Sequence, residues 1–139
     1  MQTRLNPYIN FNGNAKQTME YYQTVLGGAL TMSTFKDAGM PCEPADADKI
    51  MHAMLITDAG LALMASDTPP GMSYEPGANI AISLSGDEEQ ELRAYWEKLS
   101  QGAQITIPLE KAPWGDLFGT LTDQFGINWM VNIAPQAHV

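Results

Sequence analysis

The sequence predicts an α+β domain, 1–139, in which a βαβββ module occurs twice. Eight short segments alternate apolar and polar residues, as strands do, and two longer segments carry apolar residues at helical spacing. Their order is strand, helix and three strands, and the same order then repeats. We place module one at about 5–66 and module two at about 78–134. The 139 residues, 45% of them hydrophobic, are enough for one domain with a sizeable core.

The two halves also match each other in their residues. A Tyr-Tyr pair at 21–22 lies 74 positions before the Tyr-Trp pair at 95–96, and each pair precedes a glycine that ends the predicted helix. The turn at 58–60 lies 66 positions before the turn at 124–126. A duplicated unit is the simplest interpretation of two such matches.

In module one, the first predicted strand covers Leu5–Phe11, and its Pro7 favours an edge position or a strand start. A turn at 12–14 then leads into a helix at roughly 14–26, which Gly27 and Gly28 end. Three strands follow, with an acidic loop after the first of them: Ala29–Phe35, Ile50–Thr57 and Leu61–Ser66.

Module two repeats this order. Its first predicted strand is Asn79–Leu84, and 85–88 has the spacing of a helix capping box. The second helix is predicted at about 87–101, with its end near Gly102. The last three predicted strands are Gln104–Pro108, Gly115–Thr122 and Ile127–Ile133.

The alternation within the strands predicts which side chains face the helices. Helices can cover only one face of such a sheet, so the other face is free to line a cavity. The apolar sets expected to face the helices are Ile9 with Phe11, Ile80 with Ile82 and Leu84, and Trp129 with Val131. The opposite faces then carry an uncharged polar set: Asn6, Tyr8, Asn10, Asn79, Ser83, Asn128 and Asn132.

The charge balance excludes some partners. Sixteen acidic and seven basic residues give a formal charge of −9, which repels nucleic acids and anionic membranes. No signal peptide or membrane-spanning run is visible, and the single Cys42 is compatible with a reducing compartment. We therefore expect a cytoplasmic protein.

Three segments carry a resemblance to a known family: NPYINFNGNAKQTMEYYQTVLGG, HAMLITDAGLALMASD and PWGDLFGTLTDQFGINWMVN. With them, residues 5–134 resemble the PhnB-like branch of the vicinal-oxygen-chelate superfamily, which contains glyoxalase I, extradiol dioxygenases, fosfomycin-resistance enzymes and bleomycin-resistance proteins. The resemblance implies paired βαβββ modules that form a cupped mixed sheet around a cavity. It also implies a homodimer.

The superfamily's chemistry usually rests on a divalent metal held by His, Gln or Glu side chains. The resemblance places these four positions on Asn6, Met64, Asn79 and Met130. Neutral amide and thioether groups are poor ligands for Zn²⁺, Ni²⁺ or Fe²⁺. The leading expectation is therefore a protein without a metal cofactor that binds a small molecule. One alternative is a metal-dependent lyase, transferase or dioxygenase with other ligands, such as His52 and Glu110. Another is a structural or interaction module whose cavity is filled by its own side chains.

The candidate ligand-binding residues are Asn6, Tyr8, His52, Met64, Asn79, Trp114 and Met130. His52 is a weak catalytic candidate because imidazole titrates near neutral pH, and a structural hydrogen bond is the alternative. We expect His52 to affect ligand affinity and not to hold a metal. Trp114 precedes the Gly115-Asp116 turn, so it either lines a pocket or subunit contact or fills the end of the core.

Overall fold

The computed structural model describes residues 3–39, 42–69 and 71–135. The second histidine, His138, lies outside these ranges. The chain divides into two compact units, Met1–Pro76 and Gly77–Val139, and the division falls between the two predicted modules. None of the helices in the described ranges is long and apolar enough to cross a membrane.

Module one is a four-stranded sheet with one α-helix. Its order in the sheet is β1-β4-β3-β2, with β1 parallel to β4 and the other pairs antiparallel. A short 3₁₀ turn, Pro44–Asp46, precedes β3. The elements are β1 Tyr8–Phe11, α1 Ala15–Leu26, β2 Ala29–Thr34, β3 Ile50–Ile56 and β4 Ala62–Asp67.

Module two has the same topology. Its strands are ordered β5-β8-β7-β6, again with one parallel pair, β5 with β8. The predicted α+β class and the repeated βαβββ order are therefore confirmed. The elements are β5 Ile82–Gly86, α2 Glu89–Leu99, β6 Gln104–Lys111, β7 Leu117–Thr122 and β8 Asn128–Ile133.

Each sheet buries one face beneath its helix, as the alternation predicts. In module one, Phe11 and Leu55 are buried together with Tyr22 of α1. In module two, Trp129 and Val131 of β8 are buried. Burial of these large apolar side chains is the main contribution to the stability of each module. Because the one helix of each module packs on this face, the opposite face of the sheet carries no helix of the same module.

The predicted strand Asn79–Leu84 begins too early. Strand β5 starts at Ile82, which is opposite Trp129, so residues 79 and 80 would lie opposite the turn that precedes β8. Without a neighbouring strand they cannot form ladder hydrogen bonds. The expectation that Ile80 faces a helix is wrong, since this side chain is 79% exposed. Likewise β1 starts at Tyr8, which places Asn6 before the strand.

The predicted capping box of α2 is also wrong. Ser85 belongs to β5, and α2 begins after Glu88, which makes no side-chain capping bond. Asn14 of α1 likewise makes no side-chain capping bond. The start of α1 is instead held by the carboxylate of Asp67, the last residue of β4.

Candidate functional site

The helix-free face of module one groups three predicted site residues. Tyr8 lies opposite Met64 in the parallel pair, and Met64 lies opposite Met54 in the antiparallel pair. His52 is two residues from Met54 on β3, and the intervening Ala53 is buried on the helix side. The His52 and Tyr8 rings lie 6.2 Å apart between centroids, with 35° between their planes. His52 is therefore on the helix-free face, next to Tyr8 and half-buried.

Asn6 lies beside this group but outside the strand. The carbonyl of the adjacent Pro7 accepts the backbone N–H of Met64 at 3.0 Å, which fixes the chain near the start of β1. Further along the same face, the Ser66 hydroxyl donates to Asn10 Oδ1 at 3.1 Å. Hydroxyl, amide, phenol, imidazole and thioether groups thus share one surface.

The helix-free face of module two is lined by threonine and amide groups. Thr120 lies opposite Met130, and the hydroxyls of Thr106 and Thr120 hydrogen-bond to each other. Thr122 donates to Asn128 Oδ1 at 2.8 Å. Successive side chains of a strand point to opposite faces of the sheet. These polar residues share one face, so those on neighbouring strands lie next to each other.

A cavity of about 290 Å³ opens at one end of this face. Its polar wall consists of Asn79, Thr106, Thr120, Thr122 and Asn128, and the remaining lining includes Ala78, Ile80 and Ala81. None of these residues carries a charge, although the chain as a whole has a formal charge of −9. The geometry suits a ligand held by hydrogen bonds and apolar contact, without ion pairs.

The segment before β5 forms one rim of the cavity. Asn128 Nδ2 approaches the carbonyls of Ala78 and Ile80 at 3.5 Å each, which links this segment to the start of β8. Asn79, between those two residues, lines the cavity. Residues 79–81 of the predicted strand Asn79–Leu84 therefore form a loop wall of the cavity, whereas residues 82–84 belong to β5.

Trp114 lies at the turn before β7 and is 61% exposed. Its ring contacts Phe118 edge-on, with 5.3 Å between the ring centroids. Asp116, two residues later, accepts the Asn132 side-chain N–H at 2.9 Å, and its carbonyl accepts the Ala112 N–H. Trp114 thus neither fills the end of the core nor lines the cavity of module two.

Asp123, like Asp116, uses its carboxylate for hydrogen bonds within the protein. It is buried and accepts the backbone N–H groups of Phe125 at 2.8 Å and Ile127 at 3.0 Å. Its second oxygen accepts the indole N–H of Trp129 at 2.9 Å. Both oxygens of this carboxylate are therefore engaged in hydrogen bonds that hold a turn and a core side chain.

The donor groups do not fit a divalent metal. Within the described ranges, no three His, Cys, Asp or Glu side chains are grouped closely enough to hold a metal ion. The positions implied by the resemblance carry two amides and two thioethers, at Asn6, Met64, Asn79 and Met130. Such a set has no anionic ligand to balance the charge of the ion.

The predicted site residues thus fall into two groups. Tyr8, His52 and Met64 are neighbours in module one, whereas Asn79 lies in the cavity wall of module two. Met130 lies beside Thr120 without lining the cavity itself. Sequence reasoning missed the threonines at 106, 120 and 122, although their alternation with Ile105, Leu121 and other apolar residues was visible.

Comparison with known proteins identifies the fold family. Residues 4–131 match the Glyoxalase/Bleomycin resistance protein/Dioxygenase superfamily. The chain belongs to this superfamily. Protein YjdN of Escherichia coli strain K12 is 28% identical over an aligned length of 145 positions, which covers 95% of this chain and 96% of YjdN.

Two solved structures are similar to this chain in fold. The crystal structure of protein PA1353 from Pseudomonas aeruginosa is 38% identical, with a TM-score of 0.81 over 97% of this chain and 100% of PA1353. A Bacillus cereus protein described as a putative 3-demethylubiquinone-9 3-methyltransferase, PhnB, is 21% identical, with a TM-score of 0.74 over 95% of this chain and 100% of its own. This second likeness shows a shared fold, in agreement with the resemblance to the PhnB-like branch.

Proposed function

We propose that this superfamily member binds a small molecule in a metal-free cavity. The observation that carries the proposal is the uncharged polar wall of the module two cavity, in which hydroxyl and amide groups lie beside apolar residues. Ligand pockets typically combine an apolar lining with a few placed polar groups. The neutral residues at the four metal positions support binding without a metal ion.

The helix-free face of module one is the second part of the proposal. Tyr8 and His52 offer aromatic surface with polar atoms, and Met64 offers an adaptable apolar surface. We propose that these side chains and Asn6 bind ligand on module one, and that Trp114 and Met130 affect ligand binding in module two from outside its cavity. Substitution of His52 by alanine should then change ligand affinity and leave metal content at background.

The proposed setting is a cytoplasmic homodimer without nucleic-acid or membrane partners. The formal charge of −9 supports the exclusion of polyanionic partners. Ile105 and Ile107 on the edge strand β6 are each nearly half exposed, and association of two copies would remove such apolar surface from water. Sedimentation equilibrium measures the oligomeric state directly.

Two measurements test the binding function. Metal analysis of protein purified without chelators should find no stoichiometric transition metal. A thermal-shift screen of a small-molecule library should find ligands that raise the melting temperature of the wild type, since a ligand bound to the native state stabilises it by RT ln(1 + [L]/Kd).

The matched variants are Thr120→Val and Thr24→Val. Thr120→Val removes a cavity hydroxyl and keeps the side-chain shape, so it should weaken the binding of such ligands about tenfold. Thr24→Val makes the same change on the exposed surface of α1 and should leave binding unchanged. A tightly held stoichiometric metal, or ligands indifferent to Thr120→Val, would contradict the proposal.

A further inference from the structure

We infer that the cavity of module two selects an uncharged amide group, such as a primary amide or a lactam, attached to a small apolar body. This inference rests on the proposed binding function and names the chemical class of the ligand. It follows from three features of the lining: the absence of charge, the amide of Asn79, and the hydroxyl pair of Thr106 and Thr120.

The absence of charge in the lining disfavours charged ligand groups. A carboxylate or phosphate that enters the cavity loses part of its hydration and meets no lysine, arginine or histidine among the lining residues that the structure describes. An ammonium group likewise meets no carboxylate there. An amide or hydroxyl group loses less hydration and exchanges it for equivalent hydrogen bonds.

Asn79 provides the recognition group. Asn79 lines the cavity. Within the part of the chain that the structure describes, no residue hydrogen-bonds to its side chain. A carboxamide presents a carbonyl acceptor and an N–H donor side by side, so it pairs with a second amide or a lactam through two parallel hydrogen bonds. Asn128 differs, because its oxygen accepts from Thr122 and its nitrogen approaches two carbonyls.

The two threonine hydroxyls provide adaptable groups nearby in the same lining. Thr106 and Thr120 share one hydrogen bond, in which either oxygen is able to donate. The pair therefore keeps one O–H donor and several acceptor lone pairs for a ligand. An amide, which carries both a donor and an acceptor, uses both capacities, whereas a carboxylate uses only the donor.

The apolar part of the lining favours a compact hydrophobic body next to the amide. Ile80 is exposed in the protein alone and lies in the cavity wall between Asn79 and Ala81. A ligand ring or short aliphatic group that covers Ile80 removes this apolar surface from water.

A matched set of three probes tests the inference: nicotinamide, nicotinate and 3-(aminomethyl)pyridine. They share the pyridine ring and differ at neutral pH in carrying a neutral, an anionic or a cationic substituent. In NMR titrations of the full chain, nicotinamide should shift the Asn79 side-chain amide and the Thr106 and Thr120 methyl signals. Its affinity should exceed that of each charged probe by about tenfold.

The variants are Asn79→Asp and, as a control, Asn12→Asp. Both add one negative charge at an exposed loop position, but only Asn79 lines the cavity. Asn79→Asp replaces the amide donor by a carboxylate oxygen, so it should weaken nicotinamide binding about tenfold and strengthen binding of the cationic probe. Asn12→Asp should leave the order of the three probes unchanged.

Two results overturn the inference, and they differ in what they imply for the proposed function. If a charged probe shifts the same cavity signals and binds as tightly as nicotinamide, the ligand class is wrong while binding at the cavity stands. If no probe shifts these signals, the amide class is wrong, and the proposed function is judged separately by the library screen with Thr120→Val.

Discussion

The two modules share one topology but hold the start of their helices differently. In module one, Asp67 Oδ1 accepts the N–H groups of Gly13 at 2.8 Å and Ala15 at 3.0 Å, and Oδ2 accepts that of Ile50 at 2.8 Å. This carboxylate is 1% exposed. At the equivalent position, 66 residues later, module two has the buried Ile133.

Helix α2 is stabilised by its own surface residues. Glu89 and Glu91 lie in its first turn and Lys98 in its last, which favours the helix dipole at both ends. Glu89 also pairs with Arg93 at 2.8 Å on the exposed surface. Helix α1 has no acidic residue in its first turn and no basic residue in its last. The same fold therefore uses a buried carboxylate from a distant strand in one copy and local surface charges in the other.

A second difference lies where each helix packs on its sheet. Trp96 of α2 has an atom that would lie 2.8 Å from a Cβ built on Gly119. By the same offsets of 74 and 66, the equivalent residues in module one are Tyr22 and Ala53, both fully buried. At the equivalent positions, the larger ring thus corresponds to a glycine and the smaller ring to an alanine. Close packing favours such an exchange of ring size against a methyl group.

The largest predicted effect comes from Asp67→Ala. The substitution leaves three buried or partly buried backbone N–H groups without their acceptor, each of which costs free energy when unpaired. We expect the free energy of unfolding to fall by about 3–5 kcal/mol, measured by urea denaturation. Amide exchange should rise at the start of α1 and of β3, and not at the start of α2.

The control for this change is Asp37→Ala in module one. Asp37 is exposed and accepts a single backbone N–H, from Thr34 at 3.3 Å, so its loss should change the free energy of unfolding by at most about 0.5 kcal/mol. An equal loss in the two variants would show that Asp67 does not connect the helix to the sheet.

A smaller effect is expected for Gly119→Ala. The added methyl would lie 2.8 Å from the Trp96 ring and 2.9 Å from Leu109 Cα, so the ring or strand β6 must shift. Overpacking of this kind costs about 1–3 kcal/mol. The double variant Trp96→Tyr with Gly119→Ala installs the residue pair of module one and should recover part of the loss. If the double variant is no more stable in urea denaturation than Gly119→Ala alone, the size of the ring at position 96 is not the reason for glycine at position 119.

The sequence allowed the topology to be predicted because the apolar alternation and the two offsets depend on local pattern and on duplication. The start of β5 could not be predicted, since Asn79–Leu84 alternates like a strand and only the late start of β8 leaves residues 79 and 80 unpaired. Strand β6 likewise continues past Pro108 to Lys111. Proline has no N–H to donate to a neighbouring strand, but β6 is an edge strand and has a neighbour on one side only, so the proline is tolerated.

The candidate site was only partly predictable for a similar reason. Tyr8, His52 and Met64 could be named from residue type and the family resemblance, but the face of His52 depends on strand register, which the sequence alone does not define. The three cavity threonines resemble ordinary strand residues, because threonine is common in sheets. Their role depends on a cavity that only the tertiary structure shows.

The smallest predicted effect concerns the surface of α2. Burial and a hydrogen bond to Glu91 raise the pKa of Tyr95 from 10.0 to about 12. Because this pKa is higher in the folded than in the unfolded chain, the resulting stability is fully present below about pH 10 and is lost as the pH rises towards 12. Tyr95→Phe should therefore flatten the decrease in urea midpoint across this range. An equally steep decrease in Tyr95→Phe would show that the Glu91–Tyr95 pair does not contribute to the stability of this helix.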